Sequence, residues 1–440
     1  MEVRKPMLSW LLAGTVMVAA LLWPALWNGF PIVYYDTGGY LSRPFEGTLM
    51  TGRSVFYGLF LVLGIPFNFW LNILIQAVVV TWMIALVLRV HGLGGRPWLT
   101  AALVIGLCVA TGLPWYAAQL LPDILVPTTV IALGLLAFRR EALRPWETWV
   151  LVAVVAAGIA SHMGILALAL SLVALVALLR PFAVRTRLPR PDLLRPAAAV
   201  VAGILLALFS NFAVTGKFAF TPGGFNFVFS RLVQDGIAAR YLADRCPDPT
   251  LRLCAYRAEL PRDADDWLWA DESAIYKLGG LEQFEPEARR IAIESVPAYP
   301  FMHMKAAILA TVHQFAGITT GDGIVPWAWH SQWNFERFAP DALRQYLASR
   351  QANGPIDFRW WNQLHVPVQA LAIALLAAVF LLARDRHAAA LAAFMFLALL
   401  ANAAISGVLS NPHDRYQSRL AWIAPLTIAV AALTWRRPAK

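Results

Sequence analysis

Charge is scarce in this chain. Only 14% of its 440 residues are Asp, Glu, Lys or Arg, against roughly 25% in soluble domains, and the acidic sign is the scarcer, with 26 residues against 36 Lys plus Arg. With 59% hydrophobic residues and a mean hydropathy of +0.59, the chain has too little polar surface to enclose a water-soluble core of this size. Lipid is therefore expected to be its main solvent. Cysteine is scarce as well, with three residues. No CxxC pair or Cys/His group with zinc spacing occurs, and there is no P-loop, GxSxG elbow or Rossmann fingerprint. These absences leave cytoplasmic nucleotide chemistry and a zinc module without support. Cys108 lies in an apolar run. Cys246 and Cys254 bracket CPDPTLRLC, where a disulfide would suit an oxidising exterior or periplasm and two unpaired thiols are the other reading.

What the chain does contain is long apolar runs. Ten qualify as spans: Leu8 to Trp27, Phe67 to Leu88, Trp98 to Leu113, Ile124 to Phe138, Trp149 to Ala160, Met163 to Leu179, Ala197 to Phe212, Val366 to Ala383, Ala388 to Leu409 and Leu420 to Trp435. About twenty apolar residues cross a hydrocarbon core, and shorter runs suffice where the bilayer thins or a cavity is lined. Trp149 to Leu179 is one apolar stretch, divided here at Ser161, His162, Met163 and Gly164; left whole, it would put every later loop on the other side.

The arginines support the division. With the N-terminus inside, 17 Lys and Arg fall in the short cytoplasmic segments (among them Arg139, Arg140, Arg180, Arg185, Arg187, Arg190, Arg386, Arg436, Arg437 and Lys440) and four in the short external loops: Arg43, Arg53, Arg415 and Arg419. That bias places both termini in the cytoplasm. The first run has a basic start but is long for a signal-peptide core and has no small-x-small site after Trp27, so an uncleaved anchor is expected. The large segment 214–364 carries 15 basic and 17 acidic residues, so the net charge of +10 belongs to the cytoplasmic segments. It is a topology signal facing an anionic leaflet, and not a footprint for nucleic acid.

The expected architecture is an all-α polytopic membrane protein of about ten transmembrane helices with a large, mainly helical external segment. Residues 1–213 form an N-terminal membrane region with its first external loop at 28–66. Residues 214–364 form an external domain, in which Glu287 to Phe315 reads as an amphipathic helix interrupted near Pro297 and Pro300. Residues 365–440 form a C-terminal membrane region. The segment Val296 to Phe315, with His303 and Lys305 near a polar edge, is expected on the membrane surface.

Ionisable residues outside the runs sit at one membrane face. Asp36, in YYDTGGYL with Tyr34, Tyr35 and Tyr40 around it, is either a partly desolvated general base or a solvated loop or helix-cap carboxylate. Arg53 opens the apolar stretch Ser54 to Ile65, which is too short to span; it either clamps a lipid-linked phosphate or snorkels to headgroups. Asp123 begins the fourth run, as a functional buried carboxylate or an N-cap. His162 occupies a tight external turn, as a hydrogen-bond donor to a phosphate or a structural residue. The last loop, SNPHDRYQSRL, holds His413, Asp414, Arg415 and Arg419 outside, against the positive-inside trend; a phosphate-bearing ligand or ion pairing of Arg415 to Asp414 would account for them. Trp267, Trp269, Trp327, Trp329, Trp333, Trp360 and Trp361 offer faces for sugars or anchors at an interface.

Together these pieces resemble the C-type (GT-C) superfamily of integral-membrane glycosyltransferases, which use polyprenyl-phosphate-linked sugars. The resemblance rests on Asp36 in the first external loop, the following GRSVFYGLF, and Asp123 before the fourth span. To these add the I-x-x-x-P-x-x-P-F segment from Ile293 to Phe301 and the Arg415-Tyr416 pair before the last span. It implies that Asp36 is the catalytic base and that Arg53, Arg415 and Arg419 hold the donor phosphate, with Tyr40, Asp123, His162 and Tyr416 in support. Thr37 stands where many members have the Glu of an Asp-Glu pair, a departure from the protein O-mannosyltransferase branch. No set of carboxylates for a divalent metal is visible, so no cofactor is assigned and a metal-independent mechanism is expected.

The implied activity is sugar transfer from a polyprenyl-phosphate donor to a lipid, glycan or protein acceptor on the periplasmic face of a bacterial inner membrane, with no nucleic-acid partner. Two rival readings are carried. An O-antigen polymerase or ligase would place its key residues at His303, His313, His330 and Arg337. A lipid or solute transporter would show internal repeats and midplane charges, which are not evident.

Overall fold

A backbone surrounded by lipid can satisfy its own polar groups only by closing hydrogen bonds within each segment, so apolar runs become helices. In the computed structural model, which describes residues 4–182, 188–326 and 329–435, every regular element is helical and no β-strand is found among the described residues. Arg185, Arg187, Trp327, Arg436, Arg437 and Lys440 lie outside the described residues.

The N-terminal part comprises α1 (Arg4–Asn28), α2 (Tyr35–Glu46), α3 (Val55–Gly64), α4 (Trp70–Leu88), α5 (Pro97–Ala110), α6 (Leu113–Ala117), α7 (Leu125–Phe138), α8 (Pro145–Ser161), α9 (Met163–Leu179) and α10 (Leu194–Thr215). The polar middle contains α11 (Gly224–Gln234), α12 (Ile237–Arg245), α13 (Ala264–Trp269), α14 (Ala274–Lys277), α15 (Gly280–Ala298), α16 (Pro300–Ala316), α17 (Trp329–Phe338), α18 (Pro340–Leu347) and α19 (Arg350–Asn353). The C-terminal part is α20 (Arg359–Leu382), α21 (Arg386–Leu409), α22 (Asp414–Ala421) and α23 (Ile423–Trp435).

Six of these helical stretches are long and apolar enough to cross a membrane: Met7–Asn28, Trp70–Leu93, Leu194–Thr215, Arg359–Leu382, Arg386–Leu409 and Asp414–Trp435. At 22 to 24 residues each they reach about 33 to 36 Å, enough for a hydrocarbon core of roughly 30 Å. Four further helices stand where spans are expected. These are α5, α7, α8 and α9, of 14 to 17 residues. α7 is buried over nearly its whole length, so neighbouring helices replace lipid around it.

Local chemistry explains the breaks. The apolar stretch Trp149 to Leu179 divides at His162, whose extended backbone ends α8 and whose Nδ1 accepts from the Gly164 backbone N–H at 3.0 Å to cap α9. α15 and α16 part at Tyr299, just before Pro300. α22 and α23 part at Trp422, because Pro425 has no N–H to continue the ladder. Cys246 and Cys254 are joined by a disulfide.

The middle segment is built on two cores. Residues between Phe225 and Ala306 close around Trp267, Phe229 and Phe284, whose rings lie 5.0 to 5.5 Å apart. Residues from Ile318 to Phe358 instead join the core of the apolar helices: Phe335 and Tyr346 pack with Phe30 and Phe69. This second part lies directly on the first loop. The Ser331 hydroxyl accepts from the Gly38 N–H at 2.9 Å and donates to the Tyr34 carbonyl at 2.6 Å. Gln351 holds both the N–H and the carbonyl of Val33, at 3.0 and 2.7 Å.

The approach of α17 to α2 requires the absence of a side chain at Gly38, where a Cβ would stand 2.6 Å from Ser331 Cα and 2.7 Å from the His330 carbonyl. Gly38→Ala is expected to cost about 1–3 kcal/mol through overpacking. Gly14→Ala, whose Cβ meets nothing within 4 Å, should hold or gain stability. Thermal unfolding of the two variants in detergent checks the contrast.

Candidate functional site

The first loop is short of regular hydrogen bonds of its own and borrows them. The Ile32 N–H donates to the Ala118 carbonyl and the Leu120 N–H to the Ile32 carbonyl, both at 2.9 Å, while Thr37 Oγ1 donates to the Leu120 carbonyl at 3.0 Å. Gln76, buried in α4, donates to the Ala117 and Gln119 carbonyls at 3.0 Å. These bonds fix the chain before Asp36 against the chain before Asp123. The expected loop is a helix, α2, with Asp36 in its first turn, where a carboxylate is favoured by the helix dipole.

On the other side, α22 presents Arg415 and Arg419 one turn apart on one face. It is held by Asn402, which donates to the Tyr416 carbonyl and to Gln417 Oε1 at 2.7 and 2.8 Å, and by a hydrogen bond between the Tyr116 and Ser418 hydroxyls.

The two sides meet. Arg53 pairs with Asp36 Oδ1. Arg419 Nη1 donates to Asp123 Oδ1 at 2.6 Å, with both side chains almost wholly buried. Arg415 stands between, its Nη1 3.8 Å from Asp36 Oδ2 and its Nε 3.8 Å from Asp123 Oδ2. Its guanidinium lies over the rings of Tyr34 and Tyr416, at 4.2 and 5.0 Å, and Arg419 lies over Tyr416 at 5.1 Å. Arg53 stacks on Tyr40 at 5.7 Å. Burial, above all, holds the Tyr34 phenol above its ordinary pKa, so it offers Arg415 a neutral π face.

Asp36, Tyr40, Arg53, Asp123, Arg415, Tyr416 and Arg419 therefore make direct contacts within one cluster. His162 is close enough to feel the Arg419 and Asp123 charges, but its Nδ1 is spent on the α9 cap. Asp123 does not cap a helix; it pairs with arginine. Arg415 does not pair with Asp414, which accepts from Thr319 instead. Of the tryptophans, Trp267 is core, Trp361 packs near Trp23 and Trp115, and Trp269, Trp329, Trp333 and Trp360 are exposed. His303 bonds to Ser295, Arg337 pairs with Glu46, and neither enters the cluster.

One member was missed. Asp322 accepts from the Arg415 backbone N–H at 3.0 Å and lies 3.8 Å from His413 Nδ1. The signal for it was the GDG triplet: Gly323, at φ +74°, lies where any Cβ would run into the Tyr34 hydroxyl, which lets the turn settle on the site.

Chemically, three guanidiniums stand among three carboxylates, Asp36, Asp123 and Asp322; Arg415 Nε, Arg415 Nη1 and Arg419 Nε are buried with no hydrogen-bond partner, as is Asp123 Oδ2. Donors left unpaired in this way are costly and would be satisfied by an anionic oxygen. Access is graded: Asp36 and Arg53 keep 21% and 16% of their side-chain surface, Asp123 and Arg419 3% and 4%. Comparison of the chain with protein-family profiles, with curated proteins and with solved structures returns no match in any of the three.

Two outcomes follow from this geometry. Asp123→Ala leaves the Arg419 charge buried alone and is expected to cost about 3–5 kcal/mol; adding Arg419→Leu should restore part of it, and a double-mutant cycle on unfolding measures the coupling. His413 Nε2 lies 3.2 Å from Asp265 Oδ2. That bond and the nearby Asp322 raise the histidine's pKa, while Asp265, despite burial, is held below its ordinary value by His413. Because His413's folded pKa is the higher one, its contribution is complete below its unfolded value near 6.5 and is lost as pH rises through the folded value. Hydrogen-exchange protection around α13, taken relative to the intrinsic base-catalysed rate at each pH, should fall as pH rises from 6 to 9, and His413→Gln should abolish that fall.

Proposed function

We propose that this chain is a membrane glycosyltransferase of the GT-C type, moving a sugar from a polyprenyl-phosphate donor to an acceptor hydroxyl. The observation that carries the reading is the meeting of Asp36, Arg53 and Arg415 at one reachable end of the helices, with Asp123 and Arg419 buried behind them. In this reading the site faces the periplasm, ten helices cross a bacterial inner membrane, both termini are cytoplasmic, and the Cys246–Cys254 disulfide sits in an oxidising compartment.

Asp36 Oδ1 is taken by Arg53, and Oδ2 is beyond hydrogen-bond reach of Arg415 at 3.8 Å, so one lone-pair face is available to an incoming hydroxyl. The acceptor oxygen bonds to the anomeric carbon as the bond from that carbon to the phosphate oxygen breaks. The acceptor proton passes to Asp36. The departing polyprenyl phosphate carries away the electron pair, and Arg415 and Arg53 stabilise its charge. A phosphate leaves readily, so no strong general acid is needed.

The test is transfer from a panel of labelled polyprenyl-phosphate sugars by the purified protein in liposomes. Asp36→Asn is expected to lower transfer at least about 100-fold while insertion and unfolding temperature stay near wild type. Full transfer by that variant would overturn the base assignment, and loss of transfer on substitution of His313 or His330 alone would favour a polymerase-type site.

A further inference from the structure

A second concentration of charge lies at the opposite end of the helices. α7 leads from Asp123 to Phe138 and α21 returns from Arg386 towards Asp414, so the far ends of both lie across the helix layer from Asp36. There the ends of α7, α9, α10 and α21 border a cavity of about 670 Å³. Among the described residues, Arg139, Arg140, Arg180, Arg190 and Arg386 line it, and no lysine does.

Among the described residues, Glu141 and Asp192 line the basin and Asp385 lies close enough to act on Arg139 and His387, three carboxylates against the five arginines. Asp192 is already engaged: its Oδ2 lies 3.7 Å from both Arg140 Nη1 and Arg195 Nε, and its Oδ1 accepts from the Leu194 N–H at 2.9 Å. The cavity therefore holds a surplus of positive charge. Among the described residues, Arg139 Nε, Arg180 Nε and His387 Nδ1 are also buried there without hydrogen-bond partners. Guanidinium forks match phosphate oxygens in pairs, and unpaired buried donors are costly until an acceptor arrives.

Beside the basin the outer faces of the framing helices are apolar, with Leu178 and Leu179 at the end of α9 and Leu194 at the start of α10 all exposed. A cationic basin at the rim of an exposed apolar helix surface fits an amphiphile whose phosphate head enters the basin while its hydrocarbon tail lies along the outside of the helices.

We propose that this basin binds the phosphate headgroup of an anionic lipid, as a site separate from the Asp36 cluster. The full-length protein is measured by native mass spectrometry from micelles containing phosphatidylglycerol or phosphatidylcholine, with inorganic diphosphate as the soluble competitor. Phosphatidylglycerol is expected to be retained in preference to phosphatidylcholine and to be displaced by diphosphate. Arg190→Gln/Arg386→Gln, in which both side chains are exposed, should weaken retention about thirtyfold for the two charges removed, with unfolding temperature in phosphatidylcholine micelles near wild type. Arg180→Gln should weaken it further. Equal retention of the two lipids, or unchanged retention in the folded double variant, overturns the site. Diphosphate binding without any lipid preference overturns the lipid in favour of a soluble phosphate ligand.

Discussion

The pairing of Asp123 with Arg419 is the constraint on which the rest of this architecture depends. The two residues are 296 positions apart and both are almost completely buried, yet their oxygen and nitrogen meet at 2.6 Å. Neither charge could be left alone at that depth. The chain must therefore bring the start of α7 against α22, and everything between them in sequence has to arch around the contact. Arg415, one turn earlier on α22, extends the same pairing outward to Asp36. The buried pair acts as a foundation, and the pair nearer the surface stays reachable from outside.

That graded arrangement links stability to chemistry. Tyr34 and Tyr416 hold the Arg415 guanidinium between aromatic faces, which limits its rotation and leaves two of its nitrogens without acceptors. An anion entering from the Asp36 side would meet donors already in place, the condition under which charge stabilisation needs least reorganisation. The part of the polar segment from Ile318 to Phe358 belongs to this cluster, because its Ser331, Gln351 and Asp322 hold the first loop and α22 in position. The part between Phe225 and Ala306 has a core of its own and reaches the site through the bridge from Asp265 to His413.

Much of the fold was legible in the chain because lipid leaves a backbone few choices. The break at His162, the break at Tyr299 and the short helix after Ser54 could each be read from apolar length and from Pro or polar punctuation. The helix at Tyr35–Glu46 could not, since Gly38, Gly39 and Pro44 argue against it; its stability comes from α17 and the 118–120 backbone, which are remote in sequence. Asp322 was hidden for the same reason. A Gly-Asp-Gly turn in a polar segment looks like any exposed turn until Tyr34 is seen beneath it.

The sequence by itself determined that this is a chain for lipid, with long helices, a basic bias confined to certain segments and a few acidic and basic residues stranded outside the apolar runs. Those properties follow from local composition, which acts residue by residue. Which of the stranded residues meet was decided only by tertiary structure. Asp36, Arg53, Asp123, Arg415 and Arg419 each had an ordinary local explanation, as cap, snorkel or surface pair. Burial removed those options, because a charge withdrawn from water must find its opposite: Asp36 found Arg53 17 residues on, but Asp123 found Arg419 296 residues away.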